Sequence, residues 1–161
     1  MTTALTDAER FMRRAVAISA ERMRAGLGGP FGAVVVRDGN ILAEGFNGVT
    51  SGNDPTAHAE VMAIREACRK LRHFSLAGCE LYSSCEPCPM CLGAIYWARI
   101  DRVYFANTRE DAAVIGFDDD HIYREFALPI AARAIPFVHL PLDEARSAFK
   151  EWMDKPDKIP Y

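Results

Sequence analysis

The 161-residue chain contains no apolar run approaching the ~20 residues that a bilayer-spanning helix needs. It has no internal repeat, no low-complexity tract and no long linker. Its opening stretch, MTTALTDAERFMRR, lacks a basic start followed by an apolar block, so it does not read as a secretory signal. A cytoplasmic protein with no membrane partner is therefore expected. Positive charge is in short supply: 19 Lys and Arg face 22 Asp and Glu, for a formal net charge of −3. That balance speaks against a protein whose main task is gripping phosphate backbones. An even set of cysteines is also missing. There are five, Cys68, Cys79, Cys85, Cys88 and Cys91, where a secreted disulfide framework usually has an even count in a shorter chain.

What is present is ordinary for a globular domain: 50% hydrophobic and 25% charged residues. A chain of this length buries about 70% of its unfolded surface without staples, so residues 1–161 are expected to form one domain. Thr6-Asp-Ala-Glu9 has capping-box spacing, and Phe11, Met12, Ala15, Val16, Ile18 and Met23 follow at helical intervals up to Gly26. Phe31–Arg37 and Ile41–Phe46 read as strands joined by the hairpin signal Asp38-Gly39. A loop over Gly48–Pro55 leads to a helix over about Ala57–Leu71, where Val61, Ile64, Cys68 and Leu71 share a face. Glu80–Ser84 is a short strand, Pro87–Ala98 a buried helix apolar nearly all round, and Asp101–Ala106 another strand. Thr108–Ile115 is a weak helical pattern, and Asp118–Pro129 reads as loop or short helix. Ile135–Leu140 is expected as a last strand before a helix marked by Leu142, Ala145, Phe149 and Trp152. The alternation predicts an α/β fold, with helices covering both faces of a mixed sheet.

Two motifs carry chemistry. His58-Ala59-Glu60 and Pro87-Cys88-Pro89-Met90-Cys91 each open a helix, where free backbone amides and the helix dipole favour negative charge. One imidazole and two thiolates supply three zinc ligands and leave one position open, the arrangement of a catalytic site. Cys88 and Cys91, three residues apart, can face the same side of one turn. Glu60 is poorly placed to bind the same metal but well suited to take and return a proton beside it. Other readings of the cysteines remain open at this point. A redox Cys-x-x-Cys would leave His58 and Glu60 idle. An iron–sulfur run would need a cysteine where Ile95 stands. Cys85 as a fourth ligand would give a closed structural site. Cys68 and Cys79, and Cys85 itself, otherwise read as packing residues. Phe31 alone reads as a strand core residue, Asn47 as a turn cap, and Asp118 or Asp119 as a helix cap.

His-x-Glu followed by Pro-Cys-x-x-Cys is the signature of the zinc nucleobase deaminases. Longer blocks extend the likeness: Gly28-Gly-Pro-Phe-Gly-Ala33, Asn53-Asp-Pro-Thr-Ala-His-Ala-Glu60, Ser84–Arg99 and Gly116-Phe-Asp-Asp119. On these the chain resembles the cytidine deaminase-like superfamily and, within it, the bacterial guanine deaminases. The resemblance implies a three-layer α/β/α sandwich. It implies hydrolysis of guanine to xanthine and ammonia, in purine salvage or catabolism. It implies Zn2+ held by His58, Cys88 and Cys91, with Glu60 as proton shuttle and the Ala59 and Cys88 amides orienting the water or the intermediate. Asn47, Asp119 and Phe31 would bind the purine. The resemblance also implies a homodimer in which a C-terminal segment, about 141–161, is exchanged between subunits and Tyr161 closes the site. The sister activity, deamination of adenosine in a tRNA anticodon, is the competing reading, and guanosine or another aminated heterocycle a further one. A non-catalytic or redox zinc module is a third. The segment from Pro141 onward carries four Lys or Arg against five Asp or Glu, a poor grip for RNA.

Overall fold

The computed structural model describes residues 6–117 and 119–161. Asp118 and the first five residues of the N-terminal stretch lie outside them. The chain divides into two compact units, Met1–Ile122 and Tyr123–Tyr161.

The first unit is built as local chemistry dictates. Helix α1 (Asp7–Arg24) starts at a complete capping box: the Thr6 N–H donates to Glu9 Oε2 at 3.0 Å, and the Glu9 N–H donates to Thr6 Oγ1 at 3.3 Å. Strands β1 (Gly32–Arg37) and β2 (Asn40–Phe46) pair antiparallel across Asp38-Gly39. Both turn residues have positive φ, 50° and 73°, the geometry that matches the twist of a two-residue hairpin. A one-turn helix α2 (Val49–Gly52) interrupts the loop before helix α3 (Ala59–Leu71). Strand β3 (Cys79–Cys85), helix α4 (Pro89–Trp97), strand β4 (Arg102–Asn107) and helix α5 (Arg109–Val114) follow. Helix α6 spans Asp119–Ala127, settling the loop-or-helix choice there in favour of a helix.

Among the described residues the sheet has four strands in the order β2-β1-β3-β4. β1 is antiparallel to both neighbours, while β3 and β4, joined through α4, run parallel. Side-chain alternation along β1 divides the core between two faces. Val34 and Val36, with Tyr82 of β3, pack on Phe11, Ala15 and Ile18 of α1. Ala33 and Val35, with Leu81, pack on Ala63, Ile64 and Ala67 of α3 and Ile95 of α4. The result is the expected α/β/α layering. No helix of the described residues is long and apolar enough to cross a membrane.

Two expectations need correction. Ile135–Leu140 is not a strand: after a short 3-10 turn at Ile130–Ala132 the chain runs without regular pairing to helix α7 (Asp143–Asp154). Pro136 inside this stretch and Pro141 just after it cannot donate to a ladder. Helix α4 is not buried all round. Pro89, Cys91 and Ile95 are covered, but Tyr96 and Trp97 are 71% and 62% exposed and Leu92 lies open beside them.

Within the second unit, Arg133 organises the turn. Its guanidinium donates to the Leu128 and Phe126 carbonyls and lies over the Phe126 and Phe137 rings at 5.9 and 5.5 Å. None of this unit's side chains is buried, although it carries Phe126, Ile135, Phe137, Leu140, Phe149 and Trp152.

Candidate active site

Register decides which loops meet. Because β1 is antiparallel to β2 and β3, Gly32 lies opposite Phe46 and Ala33 opposite Ser83. The start of β1, the end of β2 and the end of β3 therefore share one edge of the sheet. That edge receives Phe31, Asn47 and Cys85, and both helices carrying the two motifs begin there. Open α/β sheets bind ligands at such an edge.

His58 is the N-cap of α3 and Cys88 the N-cap of α4. The turn before His58 is fixed by Asp54, whose Oδ1 accepts from the Thr56 N–H at 2.8 Å and the Thr56 hydroxyl at 2.7 Å. Gly45 lets α3 reach the sheet: a Cβ there would stand 2.1 Å from the Ala59 carbonyl oxygen and 2.5 Å from the Ala63 nitrogen.

Cys88 Sγ and Cys91 Sγ each lie 3.5 Å from His58 Nδ1, and all three donor atoms fall within 4.8 Å of one another. In a zinc tetrahedron with Zn–S about 2.3 Å and Zn–N about 2.0–2.1 Å, sulfur and nitrogen stand roughly 3.6 Å apart. The donor set and its spacing therefore fit zinc, with three protein ligands and not four. Cys85 stands apart from the cluster. Its thiol donates to the Thr108 carbonyl at 3.5 Å, and burial pushes it up to about 11.

The thiols and the imidazole share protons. The interaction with Cys91, followed by that with His58, holds the Cys88 thiol well below its ordinary range against the cost of its burial. The neighbouring Cys88 sulfur raises Cys91 and burial raises it further, and the Cys91 thiol donates to Glu60 Oε2 at 3.4 Å. The contact with Cys88 raises His58, and Asp119 adds a weaker pull in the same direction.

Glu60 is 6% exposed, and burial raises its carboxyl above the ordinary range. Ser83 Oγ donates to Glu60 Oε1 at 3.0 Å, and the Cys91 thiol lies 3.4 Å from Oε2. A carboxyl with a raised pKa beside a metal-ligand set is the profile of a general acid/base.

His58, Glu60 and Cys88 open onto a cavity of about 240 Å3. It is smaller than the ~300–1,000 Å3 of sites for drug-sized ligands, and its scale suits a bare heterocyclic base. Its walls include Phe31, Asn47, His58, Glu60, Cys88 and Asp119. Phe117 meets Phe31 edge-on, with ring centroids 4.8 Å apart. Asn47 is 6% exposed, and its Oδ1 accepts from the Gly29 and Val49 N–H groups at 3.4 and 3.2 Å. Both partners are donors, so the atom facing them is the oxygen and the side-chain NH2 is left for the cavity.

A family model described as the cytidine and deoxycytidylate deaminase zinc-binding region matches residues 5–107. The chain belongs to this deaminase family. Guanine deaminase from Bacillus subtilis is 55% identical over 153 residues, 95% of this chain and 98% of that protein. Its crystal structure superposes with a TM-score of 0.92. A guanine deaminase from Nitrosomonas europaea gives a TM-score of 0.66 at 33% identity, over 74% of this chain and 68% of that one. A tRNA-specific adenosine deaminase from Aquifex aeolicus is 37% identical over 78% of this chain and 81% of its own length.

Of the residues singled out in this deaminase's sequence, seven meet at one place: Phe31, Asn47, His58, Glu60, Cys88 and Asp119 on the cavity wall, and Cys91 behind it. Ala59 is fully buried at the first position of α3, where the amide has no partner within the helix. Tyr161 lies exposed in the second unit and is not among the residues lining the cavity. Sequence reasoning missed Ser83, since a lone strand serine belongs to no motif. It treated Cys85 as packing, whereas it forms cavity wall.

Proposed function

We propose that this chain is a zinc-dependent guanine deaminase, hydrolysing guanine to xanthine and ammonia in purine salvage or catabolism. The observation that carries the reading is the combined cavity wall. Two donors of a three-donor zinc set whose third lies behind them, a buried carboxyl, an amide donor, a carboxylate and an aromatic pair face one base-sized space. The relationship to the Bacillus subtilis guanine deaminase, over nearly the full length of both chains, supports guanine above a tRNA substrate. So does the net charge of −3.

His58, Cys88 and Cys91 would hold the metal. Bound there, zinc supplies a water acidified toward neutrality as the nucleophile. Glu60 would take one proton from the attacking water at Oε2 and pass it to the ring nitrogen beside the amino-bearing carbon. It would then take the proton of the newly added hydroxyl and pass it to the amine, which leaves as ammonia while the carbonyl forms. The Asn47 NH2 donates to the guanine carbonyl, Asp119 accepts from a purine N–H, and Phe31 packs on the ring. The Ala59 N–H orients the water or the developing charge.

We further read residues 1–161 as one catalytic domain that works as a homodimer, exchanging about 141–161 so that Tyr161 closes a site. Two observations support this. The C-terminal unit, at fewer than ~40 residues, is too short to hold an apolar core alone and buries no side chain. Helix α4 also leaves Tyr96 and Trp97 uncovered. All five cysteines are free, which suits the reducing cytoplasm.

Purified protein should hold about one zinc per chain and release ammonia from guanine. Inactivity on guanine together with turnover of an anticodon stem-loop would replace this reading by tRNA deamination. Zinc-bound protein that deaminates nothing would leave a non-catalytic zinc module. Glu60→Gln should keep zinc and lose at least ~10²-fold in rate. Unchanged turnover would remove Glu60 from the reaction.

A further inference from the structure

We propose that Ser83 is a positioning residue for the deamination, holding one oxygen of Glu60 so that the other faces the metal-ligand set. The inference rests on the reading of this cavity as a deaminase site.

Ser83 lies in the middle of β3, between Ala33 on β1 and Phe105 on β4. It points to the same face of the sheet as Leu81, the face that packs against α3 and α4. An aliphatic side chain would fill such a place. The chain instead has a serine, 2% exposed, with its hydroxyl in the interior. A buried hydroxyl is costly unless it is bonded, and this one spends its proton on Glu60 Oε1 at 3.0 Å.

The two carboxyl oxygens of Glu60 are thereby made unequal. Oε1 is tethered to the sheet, and Oε2 lies 3.4 Å from Cys91 Sγ, on the ligand side. Rotation about the last torsion of a glutamate is broad and roughly two-fold, so packing alone does not choose which oxygen points where. The Cys91 thiol cannot keep the second oxygen in place once it ligates a metal, because a ligating cysteine has lost its proton. The Ser83 hydroxyl is a donor that persists in the loaded enzyme. It acts on the reaction through Glu60 and has no place on the cavity wall.

Four variants test this: Ser83→Ala, Ser83→Thr, Ser83→Val and, as reference, Glu60→Gln. Thr and Val have the same size and differ by the hydroxyl, so comparing them cancels any strain from the added methyl. Removing the hydroxyl should lower kcat by roughly 10–100-fold, the usual range for a group that orients a metal site. KM and zinc content should hold, and S83T should recover rate that S83V does not. In a crystal structure of zinc-loaded S83A the Glu60 carboxyl should be rotated or split between orientations. Equal kcat in S83T and S83V, or a Glu60 carboxyl unmoved in S83A, would overturn the proposal and leave the functional reading intact. A wild type inactive on guanine but active on another base would overturn the substrate, and the same four variants would then be read on that base. A wild type that deaminates no base or anticodon stem-loop would overturn both.

Discussion

Gly45→Ala should damage the site from a distance, and the structure sets the size of the effect. An alanine Cβ at this β2 position would sit 2.1 Å from the Ala59 carbonyl oxygen and 2.5 Å from the Ala63 nitrogen. Both are backbone atoms of α3, so no side-chain rotation relieves the clash. Helix and strand must separate by about 1 Å or more before the contacts become tolerable. Overpacking of this kind costs typically 1–3 kcal/mol, and rigid partners put it near the upper end. At about 2–4 °C per kcal/mol for a chain of this size, Tm should fall by roughly 6–12 °C. The same shift carries His58 and Glu60, at the start of α3, away from Cys88 and Cys91 on α4. A misplacement of about 1 Å near the chemistry costs on the order of 10²-fold in rate. Gly52→Ala is the control, since a Cβ there meets nothing within 4 Å and φ is not in the left-handed region. Thermal unfolding, zinc content and guanine turnover should all decline in G45A and hold in G52A. A G45A protein with the wild-type melting point and full zinc would refute the idea that close approach of α3 to the sheet builds the site.

Three more predictions follow from other contacts. Asn47→Asp keeps an oxygen for the Gly29 and Val49 amides but removes the NH2 offered to the cavity. It should leave Tm nearly unchanged and lower kcat/KM on guanine by ~10-fold or more, whereas wild-type kinetics would show that Asn47 only braces its loop. Glu44 makes paired 2.8 Å contacts with Arg14, and hydrogen bonding from that guanidinium holds its carboxyl below the ordinary value of 4.5. A depressed carboxyl stabilises the fold above its unfolded pKa and loses that effect as pH falls through the folded one. With both side chains more than a third exposed, Glu44→Gln should cost at most about 1 kcal/mol in urea unfolding at neutral pH. The gap from wild type should close on acidification below the carboxylate range, and a gap constant down to strongly acid pH would refute the assignment. Replacing Tyr96 and Trp97 together by serine should weaken self-association by about 3 kcal/mol, roughly 100-fold in dissociation constant. Sedimentation of an unchanged dimer would exclude this face of α4 as the interface.

The parts legible in advance were those with local causes. Thr6 and Glu9 cap a helix because they are three residues apart, and Asp38-Gly39 turns a hairpin because both tolerate positive φ. His58, Cys88 and Cys91 stood out because an imidazole and two thiols open helices at ligand spacing, and they do converge. Where the outcome depended on a partner, the pattern misled. The apolar run of α4 does not say which side the rest of the chain covers. The β-rich letters of Ile135–Leu140 do not supply a strand to pair with.

The amino-acid sequence by itself determined the chemical parts, since ligand type, helix starts and turn residues act over a few neighbours. Tertiary structure alone decided how those parts face each other. The antiparallel register of β1 sets Phe31, Asn47 and Cys85 on one edge. The close contact at Gly45 seats α3. The long-range bond from Ser83 fixes one oxygen of Glu60, across 23 residues of chain that no local pattern spans.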